Sequence, residues 1–134
     1  MPDLAYVNGI IGPLSEAMVS VEDRGYQFGD AVYEVVASYG GKLFCLETHL
    51  ERLKYSMAAL SFPKLSIDRL REAALTLLKK SEIPRAALYI QISRGVAQRN
   101  HAFPPNPVPQ VIMTVRSVHE VSGRLKLQGS HEIR

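Results

Sequence analysis

Arg99 and His101 stand two residues apart in QISRGVAQRNHAFPPNPVPQVIM, residues 91–113, a stretch with strand-like runs at both ends. In an extended loop alternate side chains project to one side. The pair could therefore offer one carboxylate an arginine fork that grips it bidentately and an imidazole that adds a hydrogen bond. Pro104, Pro105, Pro107 and Pro109 stiffen the far half of the loop, which lowers the ordering cost of binding. The same spacing also fits a solvated loop with incidental charges. Read as chemistry, the stretch points to a small anionic ligand.

A second cationic pair, His49 and Arg52, lies three residues apart in LETHLERLKYSMAAL. At about 100° per residue both fall beside the leucine stripe of a helix. Such an arginine either pairs with a protein carboxylate or receives a phosphate or another anion. Tyr33 belongs to the apolar face of a strand, where a packed core tyrosine and a ligand contact are both open. The sequence holds no serine-nucleophile motif, no phosphate-cradling glycine loop and no helical histidine pair for zinc.

The elements that must position these residues are readable in outline. LAYVNGIIGP sets Asn8-Gly9 between apolar runs, a hairpin signal. DAVYEVVASYGGKLFCL reads as strand, Gly40-Gly41 turn and strand. Period two places Tyr33, Val35, Ala37 and Tyr39 on one face. Leu46, Leu50, Leu53, Met57 and Leu60 follow one helical face, with Thr48 and Glu51 suited to its start. SIDRLREAALTLLKKSEIP predicts a second helix, capped by Ser66, with Asp68 in its first turn, Lys79 and Lys80 near its end and Pro84 beyond. AALYIQISR and QVIMTVRSV are the strands around the Arg99/His101 loop. Strands, two helices, then strands predict an α+β fold with a mainly antiparallel sheet.

Composition narrows the function classes. At 134 residues the chain is about one domain long, and its 46% hydrophobic and 22% charged content is ordinary for a globular protein. A net charge of +3 is too small and too scattered to argue for a nucleic-acid surface. The lone Cys45 excludes an internal disulfide framework and a multi-cysteine metal site, favours a reducing compartment, and is expected to be a small buried hydrophobe. No apolar run approaches the ~20 residues that span a bilayer, and MPDLAY is acidic where a signal peptide would be basic, so a cytoplasmic protein is expected.

Three stretches together, VEDRGYQFGDAVYEVV, HLERL and SRGVAQRNHAFP, resemble in that order the N-terminal domain of the fold-type IV pyridoxal-phosphate aminotransferases, most closely the D-amino acid aminotransferases. The resemblance covers roughly Leu4 to Val118. It implies that Arg52 holds the phosphate of pyridoxal 5'-phosphate, that Tyr33 lines the substrate site, and that Arg99 and His101 grip the substrate α-carboxylate. In the family the clamp reaches the active site of the neighbouring subunit, so a homodimer is implied. The implied reaction takes the amino group of D-alanine or a similar D-amino acid and passes it to 2-oxoglutarate, giving pyruvate and D-glutamate.

The resemblance further implies residues 1–118 as the small N-terminal domain and residues 119–134, with the polar run SGRLKLQGSHEIR, as an interdomain linker or cut end. The Schiff-base lysine and the acidic partner of the pyridine nitrogen are expected in a second domain, since Lys42, Lys54, Lys64, Lys79, Lys80 and Lys126 all lie outside a matching context. Alone, the chain is expected to be inactive. Rival readings are another fold-type IV activity, branched-chain transamination or aminodeoxychorismate lyase, and a non-catalytic binding domain with an exposed apolar surface.

Overall fold

The computed structural model describes residues 3–118. Strands β1 (Leu4–Val7) and β2 (Ile10–Pro13) form the hairpin predicted from Asn8-Gly9. Both turn residues take positive φ, 48° and 98°, the backbone whose twist matches paired strands. The tip is latched to the far end of the chain: Asn8 N donates to Val111 O, and Val111 N donates to Asn8 Oδ1.

A 3-10 turn at Leu14–Glu16 is followed by the short helix α1 (Arg24–Phe28). Its five residues are too few to show helical periodicity, but its caps are orthodox. The Asp23 side chain accepts from Gly25 N at 2.8 Å, and Gly29 ends the helix in the left-handed region.

Strand β3 (Ala31–Tyr39) turns through Gly40 and Gly41, both at positive φ, into the two-residue strand β4 (Lys42–Leu43). Helices α2 (Leu46–Ala59) and α3 (Ile67–Ser81) follow, then strands β5 (Ala86–Ser93) and β6 (Gln110–Ser117). The predicted leucine stripe is buried at Leu46, Leu50, Leu53 and Met57, whereas Leu60 lies just past the helix end and is partly exposed. The start of α2 differs from expectation. It begins at Leu46 behind Cys45, which has φ 56° and makes no side-chain cap bond, so Thr48 and Glu51 lie inside the helix. Cys45 is exposed rather than buried, because the left-handed turn into the helix carries it away from the core. Ser66 caps α3 as predicted, its hydroxyl accepting from Arg69 N at 3.3 Å.

The six strands form one antiparallel sheet in the order β2-β1-β6-β5-β3-β4. Helices α2 and α3 cover one face. Val32 and Val36 of β3, Leu88, Ile90 and Ile92 of β5, and Met113 and Val115 of β6 meet Leu50, Leu53, Leu70 and Leu77 of the helices in a continuous core. On the opposite face the segment after β2 lies beside Ala5 and α1 lies against Ser93, whereas the β3 strip is exposed, and this decides between the two readings open for Tyr33. The core phase of β3 is Val32, Glu34, Val36 and Ser38, while Tyr33 is 62% exposed beside Val35 and Tyr39. A packed core tyrosine is excluded. Residues 119–134, assigned by expectation to a linker, lie outside the described residues. No helix among the described residues is long and apolar enough to cross a membrane.

Candidate active site

The loop between β5 and β6 is pinched at its base. Gly95 has φ 126°, and a Cβ there would collide with Val108 O, so only glycine lets the two limbs approach this closely. The loop also leans on the segment before α1: Arg24 N donates to Gly95 O, Ala97 N donates to Glu22 O, and Asp23 bridges Val96.

At the tip, Arg99 and His101 do come together. The Arg99 guanidinium lies 5.1 Å from the centre of the Phe28 ring, and the His101 ring centre is 5.5 Å from it. One aromatic ring at the end of α1 thus receives both side chains. Both residues are exposed, and among the described residues neither forms an ion pair or a side-chain hydrogen bond. No described carboxylate occupies the Arg99 fork.

Behind the loop lies a buried charged group that sequence reasoning did not foresee. Asp30 Oδ2 accepts from Arg24 Nε at 2.8 Å and from Arg94 Nε at 2.7 Å. Arg24 and Arg94 are 3% and 2% exposed. Burial opposes ionisation of Asp30, but the hydrogen bonds and charges of Arg94 and Arg24 outweigh it and hold the carboxyl below its ordinary range. Arg94 also donates to Leu60 O and lies under Phe103, 3.6 Å from that ring's centre. The signal available in the sequence was Arg24, Phe28 and Asp30 within DRGYQFGD, but nothing local joins them to Arg94.

Arg52 is bound as one of its two sequence readings foresaw, to a carboxylate. Its Nε and Nη2 contact Glu34 at 3.2 and 3.1 Å, and His49 Nδ1 lies 2.7 Å from Glu34 Oε1. Glu34 is 5% exposed, while the Arg52 side chain is 69% exposed. The buried carboxylate therefore orients a cation that still faces solvent, and Arg52 Nη1 has no partner among the described residues. Glu34 was missed, although a lone acid in phase with Val32 and Val36 is a sequence signal.

Tyr33 stacks on Tyr89 with ring centres 5.5 Å apart, and Tyr89 donates to Gln91 Oε1 at 2.7 Å. Burial, with the neighbouring Tyr33 hydroxyl, pushes the Tyr89 phenol up. Tyr33 and Glu34 point to opposite faces of β3. From Ala31 to Val36, however, only β5 pairs with β3, whereas β4 joins at Ser38 and Tyr39. The Tyr33 ring and the Arg52 site thus flank the same open strand edge. No ion pair or hydrogen bond joins either of them to Arg99 or His101 among the described residues.

Comparison with known proteins gives this geometry a family. The amino-transferase class IV family matches residues 31–129. The chain belongs to that family. It is 42% identical over 109 residues to a D-alanine aminotransferase of Staphylococcus epidermidis, covering 81% of this chain and 39% of that protein. This class IV chain thus spans about two fifths of the length of that relative. Its fold matches a 4-amino-4-deoxychorismate lyase from Pseudomonas aeruginosa at a TM-score of 0.78 and 28% identity, over 93% of this chain and 44% of the other. It also matches a T.th. branched-chain amino acid aminotransferase solved with pyridoxamine 5'-phosphate, at a TM-score of 0.80 and 20% identity, over 91% and 42% of the two chains. The expected α+β architecture is that of these fold-type IV enzymes.

Proposed function

We propose that this chain is the N-terminal part of a pyridoxal-phosphate-dependent aminotransferase of D-amino acids. The observation that carries this reading is the Arg99/His101 pair, held on one ring of α1 and unpaired with any described carboxylate. An arginine fork there takes the substrate α-carboxylate bidentately, and His101 adds a hydrogen bond to it. Restricting the substrate at its carboxylate fixes which way its amino group points, a positioning effect rather than a chemical one. The identity to a D-alanine aminotransferase supports D-amino acids as donors and 2-oxo acids as acceptors.

The side chains present fit the cofactor. Arg52, oriented by buried Glu34 yet open to solvent, suits its phosphate, and the exposed Tyr33 on the open sheet face suits the substrate beside it. When bound, pyridoxal phosphate supplies the electron sink that lets an amino group move between amino and oxo acids. None of the five described lysines lies in β3, β5, β6 or the clamp loop. On this reading the lysine that moves the substrate proton belongs to a segment beyond this chain, and the clamp loop serves a neighbouring subunit of a homodimer.

The test uses the full-length protein that carries this segment, assayed with D-alanine and 2-oxoglutarate, with L-leucine and with aminodeoxychorismate. Preferred turnover of D-alanine is expected. Turnover of L-leucine or aminodeoxychorismate alone overturns the D-amino acid assignment in favour of those rival activities. Arg52→Ala should weaken cofactor affinity about tenfold or more, from the loss of a charge-assisted hydrogen bond; unchanged affinity in a spectroscopic titration removes Arg52 from the phosphate site.

A further inference from the structure

We propose that Arg24 is a positioning residue for the carboxylate clamp, a role that rests on the clamp reading of Arg99 and His101. The guanidinium is 3% exposed, so it cannot itself meet a substrate. Its Nη1 donates to Asn100 O at 2.6 Å, the carbonyl between the two clamp residues, with Ala102 O at 3.5 Å on the other side of His101. Its Nε is held by Asp30 at 2.8 Å. Its planar face lies 4.6 Å from the centre of the Phe28 ring, the ring against which Arg99 and His101 rest. The backbone N–H of Arg24 donates to Gly95 O at the base of the same loop. One buried side chain, with its own main chain, thus meets the loop at its base, at its tip and at the ring beneath both clamp groups.

Two features make this a device for the loop and not a generic buried ion pair. Residues 98–103 are all exposed, so the tip rests on few contacts, the Phe103 ring over buried Arg94 and the Phe28 ring beside Arg99 and His101 among them. The only other side-chain hydrogen bond there among the described residues is local, Ala102 N donating to Asn100 Oδ1. A planar guanidinium reaches Asp30 and Asn100 O at once because its donors point in fixed, divergent directions. A lysine in its place has the charge but not the fork, and must give up one of the two.

The test is Arg24→Lys in the full-length holoenzyme, with Arg99→Ala and the Arg99→Ala/His101→Ala pair measured in parallel. Arg24→Lys should raise the KM for D-alanine about five- to thirtyfold, less than the roughly tenfold to hundredfold of losing a charged hydrogen bond outright because lysine keeps the charge, with kcat changed less than about threefold and pyridoxal-phosphate affinity unchanged. In the Arg99→Ala/His101→Ala background the same substitution should shift KM less than about twofold, since a residue that acts through the clamp has nothing left to position. An unchanged KM in Arg24→Lys beside a strong effect of Arg99→Ala overturns this inference alone. A silent Arg99→Ala ends the clamp reading and this inference with it. A KM effect that persists undiminished in the background lacking the clamp, or failure of both Arg24→Lys and Arg24→Gln to fold, shows that Arg24 holds the domain and not the loop, and overturns the assignment.

Discussion

Replacing Asp30 by Asn removes one charge and leaves two. The wild-type carboxylate oxygen receives Arg24 Nε and Arg94 Nε at 2.8 and 2.7 Å, and both guanidinium groups are almost completely buried. Asparagine keeps an acceptor oxygen in roughly the same place, so the two contacts survive as weaker ones to a neutral partner. The counter-charge does not survive. A hydrogen bond to a charged group contributes about 1.5–3 kcal/mol against about 1 for a neutral one, so the two bonds lose about 1–4 kcal/mol. Leaving buried charge uncompensated raises the total toward the 3–5 kcal/mol typical of breaking a buried ion pair. At a urea m-value of about 2 kcal/mol/M the midpoint should fall by about 1.5–2.5 M. The chain has no tryptophan and six tyrosines, so tyrosine fluorescence or far-ultraviolet dichroism follows the transition.

The pH dependence of Asp30→Asn supplies a second check. The folded state holds the Asp30 carboxyl below its ordinary range, so its contribution is complete above the unfolded value, about 3.9. It is lost as pH falls from there through the lower folded value. The stability gap between wild type and Asp30→Asn should therefore be full at neutral pH and close only below about pH 4. A midpoint shift under about 0.3 M at pH 7, or a gap that does not change on acidification, would refute the account of Asp30 as the counter-charge of two buried cations.

The clamp itself predicts that Arg99→Ala in the full-length enzyme lowers kcat/KM for D-alanine about tenfold to a hundredfold, from a charged contact of about 1.5–3 kcal/mol. Lysine should rescue it only in part, and His101→Ala should act in the same direction but more weakly; steady-state kinetics at wild-type level in Arg99→Ala removes the clamp. Gly95→Ala should destabilise the β5–β6 connection by about 1–3 kcal/mol, combining positive-φ strain with a Cβ driven onto Val108 O. Hydrogen exchange at Arg24 and Ala97, whose N–H groups bond across the loop base, should then quicken, and unchanged protection there would show that the loop base tolerates a side chain.

The parts of this fold that were legible in the sequence are those set by neighbours along the chain. The Asn8-Gly9 hairpin, the buried stripe of α2 and the Ser66 cap of α3 each follow from local rules. The face of β3 did not, because both phases of AVYEVVASY are apolar. Its inward phase is chosen by partners far away, such as Ile90 opposite Glu34 and Leu88 opposite Val36. The start of α2 was misread because Thr48 and Glu51 imitate a capping box while the chain actually enters the helix through a left-handed Cys45. At the site, Arg99 and His101 both reach the Phe28 ring, but through backbone bends at 98–99 and 101–102 and not through the extended loop that the spacing argument assumed. The Phe28 ring that gathers them and the Asp30 link to Arg94, 64 residues away, are tertiary facts with no sequence period.

The sheet order carries a consequence for synthesis. β1, at the start of the chain, hydrogen-bonds along its inner edge to β6, with Leu4 opposite Val115. While the ribosome makes everything from Ile10 to Pro109, that edge has no strand to pair with, and the hairpin joins the body of the sheet only after the clamp loop has been made. A bare, partly apolar strand edge on a nascent chain is a place where another chain can pair. The last described strand therefore closes the sheet and, in the same event, ends the interval in which the first strand is open to strangers.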